Sequence, residues 1–436
     1  MDSNTSQFYT GLLTCIKQLL ESDALKERHR TSKKAFSRKR TLPFPIVTLF
    51  LLNLVKHALQ DELDEFFKVI LGGKIAERVV TKSSFCQARL KLRYEVFVEL
   101  NQTQVAYFYE QGEPLRWHGL RLLAIDGSMS DVPNNEVASE HFGVWHPQSG
   151  GTCAKARLSQ MFDVLNKVTV DAIIAPKSEG ERALAAKHLA HVQPDDLLLM
   201  DRGYPAFWLF AAILEQKAHF CARLTVSEWL VAQQFAASGQ LECEVLLHPG
   251  HEAKKKCKEL DLSTDPIRVR LIRVELSTGE IEVLATTLLN RTQFPVSLFQ
   301  GLYHLRWPVE EDYKVLKSRI EVENWCGKSV LAVYQEFHAA VFTKNMTAIL
   351  AQPAQQEVAQ QSQQKQHDYQ INMTNLISKM KDTIVHLLLD TDIVSLLQAL
   401  WQQMVKTIEP IRPGRSFPRK KRVQRRRFAM TYKATR

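Results

Sequence analysis

The stretch LRLLAIDGS, residues 120–128, decides the fold class of this chain. It is a short apolar run that ends in Asp126, a pattern typical of a buried strand. Two β-like runs follow, LSQMFDVL (158–165) and VTVDAIIAP (168–176), and the Asn166-Lys167 pair between them indicates a hairpin.

Helical and strand patterns then alternate. EGERALAAKHLAHV (179–192) predicts a helix, and DDLLLMDRGYP (195–205) predicts a buried strand that ends in Asp201. AFWLFAAILEQK (206–217) is typical of a helix, and AHFCARLT (218–225) of a strand. This alternation predicts an α/β core with a mixed sheet.

Other patterns lie on either side of this core. We predict N-terminal helices over 1–25, 43–60 and 61–72, the last ending at Gly72-Gly73. Residues 225–295 are β-rich, with a turn at 277–280 and Lys254 to Lys256 on a loop. The chain is helical again after 328, the Gln-rich residues 352–370 predict a loop or flexible spacer, and helices resume over 373–407.

Thr81 or Ser83 caps a further predicted helix, whose exposed face carries Gln87, Arg89 and Lys91 or Arg93. It is either a helix that enters a DNA groove or an ordinary exposed helix.

Size and composition limit the class of protein. The chain has 436 residues, of which 45% are hydrophobic, enough for two or three domains. Its longest apolar run, PFPIVTLFLLNLV (43–55), is shorter than the roughly 18 residues of a membrane span, and we see no signal peptide. Seven cysteines without a CxxC pair predict reduced thiols in a cytosolic protein, not a disulfide framework or zinc site.

The net charge of +10 is concentrated in two basic arms. Residues 26–40 hold 8 Lys/Arg and one Glu, and residues 410–436 hold 11 Lys/Arg and no acid. Such arms neutralise phosphates or, in the alternative reading, are solvated segments that aid solubility.

The stretch YHLRWPVEEDYKVLKSR, residues 303–319, places charges of both signs beside an apolar stripe. On a helix at about 100° per residue, the core-facing stripe is Val309, Tyr313, Leu316 and Ile320. The flank beside it carries Tyr303, Arg306, Glu310, Lys314 and Lys317, while Glu311 faces away from the core. Pro308 either begins this helix or kinks it.

Three carboxylates then suggest a chemistry. If the strands that end at Asp126 and Asp201 are neighbours, a returning helix can bring Glu310 beside them. Clustered carboxylates repel unless hard cations neutralise them, and oxygen ligands hold Mg²⁺ or Mn²⁺. Two such ions about 3.5–4 Å apart support phosphodiester chemistry. Each aspartate alone is weak evidence, because strand-end aspartates commonly cap turns.

The chain resembles the insertion-sequence transposases of the IS-four family. Tyr303, Arg306, Glu310 and Lys317 stand at the spacing of that family's Tyr-Arg-Glu-Lys signature, and AIDGS (124–128) and DRGY (201–204) look like its two aspartate motifs. The resemblance covers most of the chain. It implies a ribonuclease H-like catalytic core, Mg²⁺-dependent (or Mn²⁺-dependent) DNA cleavage and strand transfer, and recognition of terminal inverted repeats.

The resemblance also implies residue roles. Asp126, Asp201 and Glu310 would be catalytic and hold two metal ions, and the expected DNA contacts are Tyr303, Arg306, Lys317, Lys314 and Arg202. The expected partners are duplex DNA, both terminal repeat and target, and a second copy of the chain in a synaptic dimer. The expected location is the bacterial cytoplasm, at the nucleoid. No position matches the family's base-holding aromatic residue.

These inferences divide the chain into seven segments. They are a helical DNA-binding region (1–115), the first part of the catalytic core (116–224), a β-rich insertion (225–298), the core completion with the Glu-bearing helix (299–350), a Gln-rich linker (351–372), a helical C-terminal region (373–409) and a basic tail (410–436). Two alternatives stay open: a nuclease on the same core without strand transfer, and a non-catalytic DNA-binding regulator.

Overall fold

The structure is a computed structural model that describes residues 3–146, 152–276, 279–363, 365–390 and 392–412, together with Phe428 and Lys433. The chain forms two compact units. The first unit is drawn from Met1–Pro114, Ser130–Ala156 and Lys314–Arg436, and the second from Leu115–Met129 and Arg157–Tyr313.

Helices and strands are numbered in chain order. The helices are α1 (Ser3–Glu21), α2 (Asp23–His29), α3 (Phe44–Leu52), α4 (Leu59–Leu71), α5 (Lys82–Arg89), α6 (Glu95–Gln111), α7 (Glu136–Phe142), α8 (Glu181–His188), α9 (Phe207–Glu215), α10 (Leu230–Ser238), α11 (His251–Glu259), α12 (Ser297–His304), α13 (Pro308–Lys314), α14 (Val330–Ser362), α15 (Met373–Leu389) and α16 (Ile393–Lys406). The strands are β1 (Arg121–Asp131), β2 (Val144–Trp145), β3 (Cys153–Asp163), β4 (Val168–Pro176), β5 (Asp196–Met200), β6 (His219–Leu224), β7 (Glu242–Leu247), β8 (Ile267–Glu275), β9 (Ile281–Thr286), β10 (Tyr369–Ile371) and β11 (Ile408–Pro410). A 3-10 turn follows α8 at Leu189–His191, and a π-helical turn follows α13 at Val315–Arg319.

Helix α14 is the centre of the first unit. It is buried on nearly all sides and packs against α3, α6, α15 and α16, as expected of a helix surrounded by other elements. Its buried polar side chains have partners there. Thr343 Oγ1 donates to the Leu52 carbonyl at 2.7 Å, and Asn345 Nδ2 donates to Asn101 Oδ1 at 2.8 Å. These bonds offset the cost of burying polar groups.

The N-terminal helices form close to where the patterns predict them. The helix predicted over 43–60 is wrong in its length, because α3 ends at Leu52 and Asn53 is its C-terminal cap. Asn53 Nδ2 donates to Asp382 Oδ1 at 2.9 Å, and Leu54 adopts a φ of 54°. Helix α4 ends at Gly72 with a φ of 64°, the left-handed cap that the Gly72-Gly73 pair predicts.

Helix α5 begins where its cap predicts. Thr81 forms a capping box with Ser84. The predicted exposed face is wrong at Arg89, which is buried and donates through Nη1 to Glu336 Oε1 at 3.1 Å. This guanidinium attaches α5 to α14, so it does not serve as a reader of a DNA groove.

The second unit contains the mixed sheet. β1 pairs with β5 in parallel, from Arg121↔Asp196 to Ile125↔Met200. β5 pairs with β6 in parallel, and β6 pairs with β9 antiparallel. Within this unit the strand order is β3-β1-β5-β6-β9-β8-β7, and β4 pairs with β3 through the predicted hairpin. The predicted mixed α/β core is therefore confirmed.

The predicted β-rich insertion supplies three strands of this same sheet, β7, β8 and β9. It also contains α10 and α11, which the patterns did not predict. Lys254 to Lys256 lie within α11, so their assignment to a loop is wrong. Of the predicted turn, Ser277 and Thr278 lie outside the described residues, and Gly279 has a φ of 80°.

The C-terminal region is helical, as predicted. The Gln-rich segment is not a loop over most of its length, because α14 continues through Pro353 to Ser362. Apart from its first residues, Phe428 and Lys433, the basic tail lies outside the described residues. Among the described helices, none combines the length and the hydropathy needed to cross a bilayer.

Candidate active site

The two aspartates stand at one edge of the parallel part of the sheet. Residues 121–125 of β1 are fully buried and pair with β5, and this pairing ends at Ile125↔Met200. Asp126 and Asp201 are the next residues on the two strands. Because parallel neighbouring strands end at the same edge, the two carboxylates are brought together as predicted. One detail was wrong: β1 does not end at Asp126 but continues to Asp131.

Glu310 reaches this edge on α13. Helix α12 ends at His304, residues 305–307 form a turn, and α13 begins at Pro308. The stretch 303–319 is therefore two helices and a π-helical turn, because proline lacks the N–H that would continue α12. The Tyr313 hydroxyl donates to the Asp126 backbone carbonyl at 2.9 Å. This bond fixes the helix that carries Glu310 to the strand that carries Asp126.

The predicted core-facing stripe of this stretch is confirmed. Its four members, Val309, Tyr313, Leu316 and Ile320, are all buried, and Glu311 is exposed.

The three carboxylates share one electrostatic environment. Burial raises the pKa of the Asp126 carboxyl to about 6. The Gly127 N–H and the Arg306 guanidinium lower this pKa, whereas the charges of Asp201 and Glu310 raise it. Asp201 and Glu310 each disfavour ionisation of Asp126, as expected of carboxylates that lie close to one another.

Arg306 supplies the positive charge at the site. Its Nη2 donates to Glu310 Oε1 at 2.9 Å, and the guanidinium lies 5.2 Å from the centre of the Trp307 ring and 5.9 Å from that of Tyr303. The side chain is buried, and its Nε has no hydrogen-bond partner. Asp201 Oδ1 accepts from the Gly203 N–H at 2.8 Å.

Tyr303 lies against the end of β5. Its hydroxyl is 3.5 Å from the Met200 carbonyl oxygen, and burial raises the pKa of the phenol. The phenol is therefore a neutral donor next to Asp201.

The remaining predicted contacts are cationic. Arg202 and Lys314 are exposed. Lys317 belongs to the first unit, within the π-helical turn, and its Nζ is 4.0 Å from Glu323 Oε1. Burial lowers the pKa of Lys317.

The donor set fits a hard divalent cation. The site offers carboxylate oxygens and no sulfur or imidazole ligand among the residues placed here, which suits Mg²⁺ or Mn²⁺. Within the described residues, no three His, Cys, Asp or Glu side chains already stand close enough to hold a metal ion. The carboxylates are instead engaged by Arg306 and Gly203, so binding an ion would require their side chains to turn.

Sequence reasoning missed three side chains at this edge: Arg157, Glu181 and Tyr204. Arg157 Nη1 donates to Glu181 Oε1 at 2.6 Å, and Tyr204 is buried beside Gly127. Tyr204 is the last residue of the quoted DRGY motif, which was the one available signal.

Comparisons with known proteins identify the family of this chain. The family model described as Transposase DDE domain matches residues 117–346, more than half of the chain. The transposase InsG of insertion sequence element IS4 from Escherichia coli K12 is 24% identical over 324 residues, covering 71% of this chain and 69% of that protein. The putative transposase InsZ of the same organism is 25% identical over 298 residues, covering 66% of this chain and 87% of the relative.

A solved structure is also similar, the piggyBac transposase in a synaptic complex with hairpin DNA. It has a TM-score of 0.43 and 10% identity, and the similarity covers 91% of this chain and 82% of that one. The family match spans β1, β5 and α13, the three elements that carry the acidic residues. The family model and the two relatives together show that the chain belongs to the DDE transposases of the IS-four family.

Proposed function

We propose that Asp126, Asp201 and Glu310 hold two divalent ions, Mg²⁺ or Mn²⁺, for cleavage and joining of DNA. The observation that carries this proposal is the hydrogen bond from Tyr313 to the Asp126 carbonyl. It holds the Glu-bearing helix against β1, whose parallel neighbour β5 ends one residue before Asp201. Ions bound there would activate an attacking oxygen and stabilise a leaving one.

Two displacements at phosphorus follow. In the first, a water oxygen bonds to phosphorus at the end of the element, the bond to the 3′ oxygen breaks, and a 3′-OH is freed. In the second, this hydroxyl oxygen attacks a phosphodiester of the target DNA, and the 3′ oxygen of the target strand leaves. The reaction needs no covalent enzyme–DNA link, so the protein positions the strands and stabilises charge.

The basic side chains would hold the phosphates. Arg306 lies beside Glu310 and carries an unpartnered Nε. We assign it, with Tyr303, to the phosphate at the reacting end. Arg202 and Lys314 are exposed and would contact the DNA backbone. Lys317 has the same assignment, and its approach to Glu323 in the first unit would have to compete with DNA.

The DNA partners in this proposal are the terminal inverted repeats and a target duplex. The helical region 1–115 and the basic arms, 26–40 and 410–436, would supply further phosphate contacts. The active form would be a dimer in the synaptic complex, acting in the bacterial cytoplasm at the nucleoid. The catalytic core would be 116–224 with 299–350, interrupted by the insertion 225–298.

The test uses the full-length protein and duplex oligonucleotides that carry the inverted repeat found in the DNA flanking the gene. In Mg²⁺ we expect a free 3′-OH at the repeat end and joining to a target plasmid. Asp126→Ala, Asp201→Ala and Glu310→Ala should each lower cleavage by at least about 10³-fold, on the scale of a lost charge-stabilising group. Binding of the repeat should persist.

Glu311→Ala is the matched control, because Glu311 is adjacent, acidic and exposed. Full cleavage by Glu310→Ala together with loss in Glu311→Ala would contradict the assignment. Cleavage without joining would instead support a nuclease, and binding without either reaction would support a regulator.

A further inference from the structure

A fourth carboxylate lies between the two aspartate motifs. Glu181 is the first residue of α8. A Cβ placed on Gly127 would be 3.4 Å from Glu181 Cγ and 3.5 Å from its Oε1. A Cβ placed on Gly203 would be 3.2 Å from Asp201 Oδ1 and 3.8 Å from Glu181 Oε2. Glu181 therefore lies near the backbone directly after Asp126, and its Oε2 and Asp201 Oδ1 both lie near Gly203.

A buried hydroxyl faces the same space. Tyr204 is 1% exposed, and its hydroxyl has no hydrogen-bond partner. That hydroxyl would be 3.4 Å from the Cβ placed on Gly127. Burial raises the pKa of the Tyr204 phenol, and the charges of Asp126, Glu181 and Asp201 raise it further. The phenol thus stays protonated and carries a donor proton with three acidic side chains around it and no acceptor bonded.

A buried donor without a partner destabilises the fold, and such groups are rare in folded proteins. A bound state that turns one of these carboxylates toward the hydroxyl would recover this cost. Arg157 already holds Glu181 Oε1 through Nη1 at 2.6 Å, and its own Nε is buried and unpartnered. The other oxygen, Oε2, is the one that approaches Gly203 and Asp201.

We propose that Glu181 is a fourth carboxylate of the divalent-cation site and that the Tyr204 hydroxyl orients it by a hydrogen bond when the cation is bound. Tyr204 is a positioning residue, since it acts through Glu181. The inference rests on the proposed function, because it assumes that Asp126 and Asp201 bind the cation. A purely structural ion pair between Arg157 and Glu181 makes different predictions.

The test measures Mn²⁺ binding to the metal-free full-length protein by calorimetric titration, without DNA or turnover. Glu181→Gln and Tyr204→Phe should each weaken Mn²⁺ binding by about 10-fold, the lower end for residues that support a metal site. Glu179→Gln is the matched control. Glu179 lies two residues from Glu181 and pairs with Lys187 Nζ at 2.5 Å. The Glu179→Gln variant should therefore bind Mn²⁺ with the affinity of the unmodified protein.

Melting of the metal-free variants separates positioning from structural support. Tyr204→Phe removes a donor that has no partner and should melt at the same temperature or higher than the unmodified protein. A lower melting temperature would show that the hydroxyl already has a partner and would overturn its role. Unchanged Mn²⁺ affinity in Tyr204→Phe would overturn it as well.

Asp126→Asn and Asp201→Asn distinguish the two levels of failure. If both lose Mn²⁺ binding while Glu181→Gln binds normally, the fourth carboxylate is refuted and the proposed function stands. If neither aspartate variant loses binding, the proposed function itself fails.

Discussion

Replacing Asp126 by asparagine should stabilise the metal-free protein while it abolishes catalysis. Burial raises the pKa of this carboxyl from 3.8 to about 6, so the folded chain resists its ionisation. Each pKa unit corresponds to about 1.4 kcal/mol, and the shift of about two units therefore costs about 3 kcal/mol once the group is ionised. Asparagine keeps the shape and an acceptor for the Gly127 N–H but carries no charge.

The stability difference between Asp126→Asn and the unmodified protein should depend on pH. Below about pH 4 the carboxyl is protonated in both the folded and the unfolded chain, so the unmodified protein bears no cost there. As the pH rises from about 4 to 6, the unfolded chain loses this proton first, and stability falls. We therefore expect the free energy of unfolding of Asp126→Asn to exceed that of the unmodified protein by about 3 kcal/mol at pH 7 and to be nearly equal to it at pH 4.

The assay is urea unfolding in a chelator, followed by tryptophan fluorescence at several pH values. Both proteins are compared at the same pH, so other titrating groups cancel. Two results would refute the reasoning that ionised Asp126 destabilises the metal-free protein. One is equal stability of Asp126→Asn and the unmodified protein at pH 7, and the other is a gain in Asp126→Asn at pH 4 as large as that at pH 7.

Three further predictions concern the framework around the site. Arg121→Ala should lower the free energy of unfolding by about 3–5 kcal/mol in urea, because it leaves Asp196 buried without its partner at 2.5 Å; a loss below 1 kcal/mol would contradict this. Gly301→Ala should raise the free energy of unfolding by about 0.5–1 kcal/mol, because Gly301 lies within α12 and a Cβ there would meet no other atom. Gly327→Ala should lower the free energy of unfolding, because a Cβ there would be 2.3 Å from the Cβ of Ala332. Thermal melting checks both variants, and a melting temperature of Gly327→Ala above that of Gly301→Ala would contradict the prediction. Burial raises the pKa of the Cys221 thiol to about 12, so iodoacetamide at pH 8 should leave it unmodified by mass spectrometry until the protein is unfolded; rapid alkylation of the native protein would contradict its burial.

The sequence predicted the core because its local patterns and its tertiary environment agree. The runs 121–125 and 196–200 are apolar at nearly every position, as strands covered on both faces must be, and they pair in parallel. Caps and glycines behaved similarly, because Thr81 and Gly72 act through neighbouring backbone groups alone.

Local patterns failed where a distant partner decided the outcome. Arg89 looked exposed by helical phase, but Glu336 draws it into the first unit. The glutamines of 352–370 suggested a loop, yet α14 continues through Pro353 to Ser362. The buried first half of α14 stabilises the helix, and the glutamine-rich turns extend from it. The spacing of residues along the sequence predicts neither the Arg89–Glu336 ion pair nor the burial of α14.

The sequence by itself determined which acids directly follow the two buried apolar runs, 121–125 and 196–200, and which residues follow the family signature. Only the tertiary structure decided how they are held: Tyr313 bonds the Asp126 carbonyl, Arg306 occupies Glu310, and Tyr204 is buried without a partner. The physical reason is range. Apolar periodicity and capping act over a few residues, whereas the charge and solvation of a carboxylate depend on groups far away along the chain that only folding brings near.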